Sequence, residues 1–281
     1  PCGCACAPGC LCLPAAALVI DGKVIAAQEE ERFTRQKHTG AFPAQALEYC
    51  LKAGGLRGTS ELTLICFYHS LSQMFRPEML ETNREHMSPG TRLAFAATLA
   101  TMRRWNQWTD YSDERSSRVF ARHTAYEPPP GTFRVIPHHL CHAASAFYPS
   151  PFEEALCLTL DAQGESASSM LSLGKGAELE VVRQLYAPNS VGYLYACFTR
   201  YLGFGVGDEF KVMGLAPYGD PARFRPFFDE IVRTAEDGSF AIDPDLMSRL
   251  IVRDALFPQG VFYPWSLIRA LGAARRPDEG I

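Results

Sequence analysis

The 281-residue chain reads as an α/β protein built around a mixed sheet. Three patterns predict this. Two apolar runs, 15–20 and 23–27, are joined by Asp21-Gly22, which is the signature of a tight hairpin. The runs 155–160, 168–173 and 179–185 follow one another as strands around polar turns. Helical patterns then alternate with these strands, as at 139–147 and 191–202.

Taken in order, the hairpin is followed by a polar stretch, Gln28 to His38. Its mixed charges, Glu30-Glu31-Arg32 through Arg35, Lys37 and His38, read as a solvated face. Pro43 opens a helix through Ala46, Leu47, Cys50 and Leu51, and Gly54-Gly55 stops it. Residues 62–68, Leu-Thr-Leu-Ile-Cys-Phe-Tyr, read as a buried strand. Residues 79–108 carry Leu93, Phe95, Ala96, Leu99 and Met102 near helical spacing, which predicts one long helix. The linker Pro128-Pro129-Pro130-Gly131 precedes a short strand at 133–136. No internal repeat is present.

Composition limits the function classes. The chain is 47% apolar with a mean hydropathy of -0.08, enough to bury a substantial core. A net charge of -4 offers no basic excess for nucleic acid. The longest uncharged apolar run, 11–20, is about half of a bilayer span and lacks the basic flank of a signal peptide. Of ten cysteines, Cys50, Cys66, Cys141, Cys157 and Cys197 stand singly among apolar residues, as buried thiols of a cytoplasmic protein do. Cys2, Cys4, Cys6, Cys10 and Cys12 form no C-x-x-C pair, so residues 1–14 read as an irregular tail or a mis-started end.

Four segments offer chemistry. In His138-His139-Leu140-Cys141-His142, the outer histidines are four apart, which puts both imidazoles on one helix face where they can grip a metal or serve a structural role. The general base of H-E-x-x-H is missing, since His139 stands in its place. Asp161 ends an apolar strand before Ala162-Gln163-Gly164-Glu165-Ser166. It suits either a metal ligand or an ordinary turn acid. The stretch 203–219 is too dense in glycine for a regular element. Lys211 within it can meet a phosphate or carboxylate. No G-x-x-x-x-G-K-[ST] loop is present.

In order along the chain, "EEERFTRQKH", "HHLCHAASAFYPSPF" and "GDEFKVMGLAPYG" resemble the NodU/CmcH family of carbamoyltransferases. The resemblance covers most of residues 16–220. It implies a TsaD-like domain of the actin/hexokinase-like ASKHA type, here residues 15–281, followed in the family by a YrdC-like domain. The latter makes carbamoyl adenylate from carbamoyl phosphate and ATP. The former passes the carbamoyl group to a hydroxyl of a small-molecule acceptor, in secondary-metabolite or nodulation-factor-type biosynthesis. Iron(II) or a similar divalent metal is held by residues that map to His138 and His142, with Asp161 beside it. Ala162 stands where the family has Gly. In this reading Asp161 or Asp208 is the base for the acceptor, and Lys37, His38, Glu165 and Lys211 bind substrate groups. The partners are the acceptor and carbamoyl adenylate, with no DNA and no membrane.

Two departures stand out. Cys10 to Pro14 occupy the place of the family's first strand and its His-Asp pair. Residues 271–277 resemble a Gly-Pro-Pro-Arg-x-Pro segment that lies inside the TsaD-like domain. The expectation is a partial domain that is inactive alone, with apolar surface exposed where its remainder would dock. The alternatives are a tRNA threonylcarbamoyl-transferase or HypF-like relative, or a non-catalytic half-module that binds metal or a partner.

Overall fold

The structure, a computed structural model, describes residues 14–36, 41–68, 70–109, 112–205, 207–236, 239–256 and 263–280. In chain order come β1 (Ala15–Ile20), β2 (Lys23–Glu29), α1 (Glu31–Thr34), α2 (Ala44–Ala53), β3 (Ile65–Phe67), α3 (Glu78–Glu81), α4 (Pro89–Thr109), α5 (Asp113–Thr124), β4 (Phe133–Val135) and α6 (His138–Phe147). Then follow β5 (Glu154–Gly164), β6 (Ala167–Lys175), β7 (Glu178–Tyr186), α7 (Val191–Tyr201), α8 (Glu209–Leu215), α9 (Arg225–Ile231), β8 (Val232–Thr234), β9 (Phe240–Ile242), α10 (Pro244–Leu256) and α11 (Trp265–Leu271). The α/β expectation holds, but among the described residues the strands form small separate sheets, each purely parallel or purely antiparallel, in place of the one mixed sheet expected. The chain divides into two compact units, one of residues up to Ser72 with Thr109–Ile136, the other of Gln73–Trp108 with residues from Pro137 onward. The Cys-rich start, 1–13, lies outside the described residues.

In the first unit, Asp21 and Gly22 both have positive φ (50° and 75°), the backbone a primed hairpin turn requires. They join β1 to β2 in antiparallel register, Ile20 opposite Lys23. Ala46 and Cys50 of α2 are buried, and α2 packs on both strands of the hairpin. Glu30 is buried rather than part of a solvated face. Its carboxylate accepts the N–H groups of Gln45 and Ala46 at 3.2 and 2.8 Å, capping α2 where Pro43 supplies no side-chain cap. The strand expected at 62–68 shrinks to β3, and Leu64 and Cys66 are exposed. Among the described residues β3 pairs only with β4, and its other side opens on an apolar cavity of about 700 Å³ that also lies against β1. Helix α5 has no counterpart in the sequence expectations. Acids in its first turn and Arg122 and His123 in its last follow the helix dipole.

In the second unit, the helix expected over 79–108 is broken into α3 and α4. The Asn83 amide donates to the Met79 carbonyl at the end of α3. Pro89 cannot continue a helix but suits the start of one, and the Ser88 hydroxyl accepts the Thr91 N–H. Strands β5, β6 and β7 form an antiparallel meander. One face buries Cys157 and Met170 against Ala143 and Phe147 of α6. Gly174 takes the Phe147 ring where a Cβ would sit 2.7 Å from it. A second core joins α7 to β9 and α10 through Leu194, Cys197, Ile242, Met247 and Leu250. The glycine-rich stretch holds a regular element after all, since Glu209–Leu215 forms α8 between Gly207 and Ala216. No helix among the described residues is long and apolar enough to cross a membrane.

Candidate metal centre

The site lies in the second unit, between the first turn of α6 and the end of β5. Helix α6 begins at His138 itself, so His138 and His142 lie one turn apart on one face. Strand β5 runs past Leu160 to Gly164, which carries Asp161 up to them. The His138 Nε2 to Asp161 Oδ2 distance is 2.8 Å, His142 Nε2 to the same oxygen is 3.4 Å, and the two Nε2 atoms are 2.9 Å apart. The imidazole rings stand nearly perpendicular, at 83°. The other carboxylate oxygen of Asp161 accepts the Ala162 N–H at 2.6 Å, which turns Oδ2 toward the histidines.

Bonds of about 2.0–2.2 Å to one ion place neighbouring ligand atoms about 3.0–3.4 Å apart, so the 3.4 Å pair already has that spacing and the 2.8 and 2.9 Å pairs, now at hydrogen-bond distance, need to open only slightly. Two imidazoles and one carboxylate, all partly accessible, are also a donor set suited to iron(II), zinc and similar divalent ions. The site's own electrostatics keep Asp161 ionised, while on His142 a metal would have to displace a proton. Hydrogen bonds from His138 and then His142 hold the Asp161 carboxyl well below the usual carboxylate range. The Asp161 bond in turn raises the His142 imidazole.

His139 points the other way and is buried at 1% exposure. Its Nε2 lies 3.2 Å from the Ala167 carbonyl, which can only accept, so Nε2 carries the proton. Nδ1 is then the acceptor for the Thr159 hydroxyl at 2.7 Å. Burial pushes this imidazole down toward its neutral form. His139 thus ties α6 to β5 and β6 while its two neighbours face the open side.

Three residues absent from the sequence reading complete the frame. A Cβ on Gly192 would lie 2.4 Å from the Ala162 nitrogen and 2.5 Å from the Asp161 carbonyl carbon, so only glycine lets α7 approach here. Ser190 caps α7 by accepting the Tyr193 N–H, and its hydroxyl lies 3.1 Å from the Asp161 carbonyl oxygen. Thr159 holds His139. The Ser190 cap and a glycine in the first helical turn were both visible signals. Their partner, more than twenty residues upstream, was not.

Of the other candidates, only Glu165 is shown against a residue of this cluster. Glu165 is buried and accepts the backbone N–H of His138. Asp208 accepts the Gly205 N–H at 2.9 Å and pairs with Lys211 at 2.8 Å. The Lys211 ammonium also lies over the rings of Phe204 and Phe210. Lys37 and His38 lie outside the described residues. The large apolar cavity of the first unit holds no such ligand cluster among its described residues.

Comparison with known proteins bears on this site. A protein of Synechocystis sp. without an assigned function is 39% identical over 233 residues, covering 82% of this chain and 37% of that protein. Nodulation protein NolNO of Sinorhizobium fredii is 36% identical over 242 residues, 85% of this chain and 32% of the relative. Nodulation protein NolO of Bradyrhizobium diazoefficiens is 38% identical over 117 residues, 42% of this chain and 21% of the relative. The chain therefore spans about a third of the length of the first two relatives. The sequence profile described as "Carbamoyltransferase N-terminus" matches residues 13–248, a span that contains β1, the His138, His142 and Asp161 cluster and the start of α10, and the chain belongs to that family.

Proposed function

We propose that this chain forms the metal-binding part of an O-carbamoyltransferase. It moves a carbamoyl group from carbamoyl adenylate to a hydroxyl of a small-molecule acceptor in a biosynthetic pathway of the nodulation-factor or secondary-metabolite kind. The carrying observation is the set of three ligand atoms, from His138, His142 and Asp161, close to coordination-shell spacing inside the family-matched region. We take the fold as the beginning of an ASKHA-type, TsaD-like domain. In this reading carbamoyl adenylate comes from carbamoyl phosphate and ATP in a YrdC-like domain, as the family resemblance implies. A cytoplasmic setting accords with the absence of disulfides among the described cysteines.

When bound, a divalent metal such as iron(II) supplies Lewis-acid polarisation of the carbamoyl carbonyl and a hold on the neighbouring phosphate. The residues do the rest. His138 and His142 would present their Nε2 atoms once the protons they share with Asp161 are released, and Asp161 would present Oδ2. Asp161 is a poor proton acceptor, since its carboxyl is held strongly acidic and both oxygens are engaged. The other candidate base, Asp208, holds the Gly205 N–H and the Lys211 ammonium, so in this reading it takes the acceptor's proton only when Lys211 turns to the substrate. Lys211, half exposed beside Asp208, neutralises an anionic group of the substrate, as do Lys37 and His38.

Metal content measured after anaerobic loading with iron(II) tests the proposal. One iron per chain is expected in the wild type, and loss of it in the His138→Ala/His142→Ala variant. Unchanged iron in that variant overturns the metal assignment. Metal retention with no transfer from synthetic carbamoyl adenylate is the outcome expected of a partial domain that is inactive alone, so iron content and not the transfer assay decides the proposal.

A further inference from the structure

Helix α6 carries two of the three ligands but has no cap of its own. The residue before it is Pro137, which offers no side-chain acceptor. The acceptor comes instead from Glu165, in the turn between β5 and β6. This carboxylate is buried at 4% exposure, and its oxygens lie 3.0 and 3.3 Å from the backbone nitrogen of His138. Glu165 reaches that position through a left-handed backbone, with φ of 55°. The preceding residue, Gly164, closes the other side. A Cβ there would stand 2.5 Å from Cδ2 and 2.9 Å from Cβ of His138. His138 is therefore gripped at its backbone by Glu165, along its ring by Gly164, and at Nε2 by Asp161.

We infer that Glu165 is a positioning residue for the metal centre, fixing the first turn of α6 so that the His138 imidazole meets Asp161, and is not a group that touches substrate. The inference rests on the metal reading above for its consequence, though the grip on His138 is independent of it. A carboxylate at a helix start is worth having on two grounds, since it satisfies an N–H with no intrahelical partner and favours the positive end of the dipole. Here those two effects act on the residue whose side chain is a ligand. Groups that orient metal ligands in this way change affinity by about 10–100-fold when removed.

The test compares four variants of the full chain. Glu165→Ala removes the acceptor, Glu165→Gln keeps a carbonyl oxygen of the same reach, and Glu165→Asp withdraws the carboxylate by one methylene. Asp243→Ala is the control. The Asp243 carboxylate accepts the Leu246 N–H at the start of α10, so this variant loses a comparable cap at a helix that carries no ligand. Titration with cobalt(II), read by its visible bands, should show about 10–100-fold weaker binding in Glu165→Ala. Partial weakening is expected in Glu165→Asp, and near wild-type binding in Glu165→Gln and Asp243→Ala. In the metal-free chain, the ¹⁵N resonance of the His138 Nε2 should move in Glu165→Ala and stay in place in Glu165→Gln and Asp243→Ala.

Wild-type affinity in folded Glu165→Ala, or equal weakening in Asp243→Ala, overturns the inference. If the wild type takes up no cobalt, the metal reading fails. The imidazole resonance then decides the positioning role, with an unmoved resonance in Glu165→Ala counting against it. If Glu165→Ala does not fold, Glu165→Asp carries the same comparison, and wild-type binding with an unmoved resonance overturns the inference.

Discussion

Gly192 gives the strictest single-residue constraint near the candidate metal centre. It lets the first turn of α7 lie directly on the backbone of Asp161 and Ala162. Gly192→Ala must push either α7 or the end of β5 aside, because the obstructing atoms are backbone and cannot rotate away. Overpacking of this kind costs about 1–3 kcal/mol. Hydrogen exchange of the β5 amides near Asp161 should therefore speed up in Gly192→Ala, and iron content should fall with it; unchanged exchange would show that the contact yields freely. The pair His138 and His142 was legible in the sequence because a four-residue spacing is local and needs only a helix. Asp161 was legible as a polar residue ending an apolar run. Gly192 was not, since its reason lies in a contact with a strand about thirty residues earlier. Glu165 was legible as a candidate but not in its role, because neither its burial nor the N–H it meets is written locally.

At the scale of elements, the hairpin of β1 and β2 was plain from the sequence because Asp-Gly dictates positive φ at both turn positions. The helical spacing over 79–108 is carried by Leu93 to Met102, all beyond Pro89, so it predicts α4 and not the separate α3, which the proline at the start of α4 sets apart. Short β3 was overread, since an apolar run carries no record of how many neighbours its strand will find. Helix α2 combines both lessons. Its apolar face was visible through Ala46 and Cys50, but its cap, Glu30, sat inside a charged run that looked solvated. Glu30→Ala leaves two N–H groups of the first turn without that carboxylate. A buried unsatisfied group costs about 1–3 kcal/mol. Exchange protection across the first half of α2 should drop accordingly, and Glu30→Gln, which retains one acceptor oxygen, should restore part of it. Equal protection in wild type and Glu30→Ala would mean that water serves the α2 start as well as Glu30 does.

For the molecule as a whole, the β5–β6–β7 meander is finished on one face only. Alternation along β5 sends Cys157 and Thr159 to the side packed by α6, while Leu156, Leu158 and Leu160 stay 67%, 64% and 52% exposed on the other. Leu173 and Leu171 stand opposite Leu156 and Leu158 on the neighbouring strand, which widens the stripe. Among the described residues β5 also pairs with β6 alone, so one edge of the strand presents backbone groups beside these leucines. An apolar stripe next to a free edge favours association between chains. Leu93, Met213 and Trp265 are exposed as well, but of all these only the β5 leucines adjoin an open strand edge, and sedimentation velocity should show the 281-residue chain associating through them as its concentration rises. Leu156→Lys/Leu158→Lys should shift it to monomer at the same concentrations, because like charges on adjoining stripes repel and a lysine stem still covers the sheet. Iron content should be retained in that variant, since neither position touches His138, His142 or Asp161 through a hydrogen bond or ion pair. A wild-type chain that remains monomeric over the full range, or a double variant that associates just as strongly, would place the sticky surface somewhere other than β5.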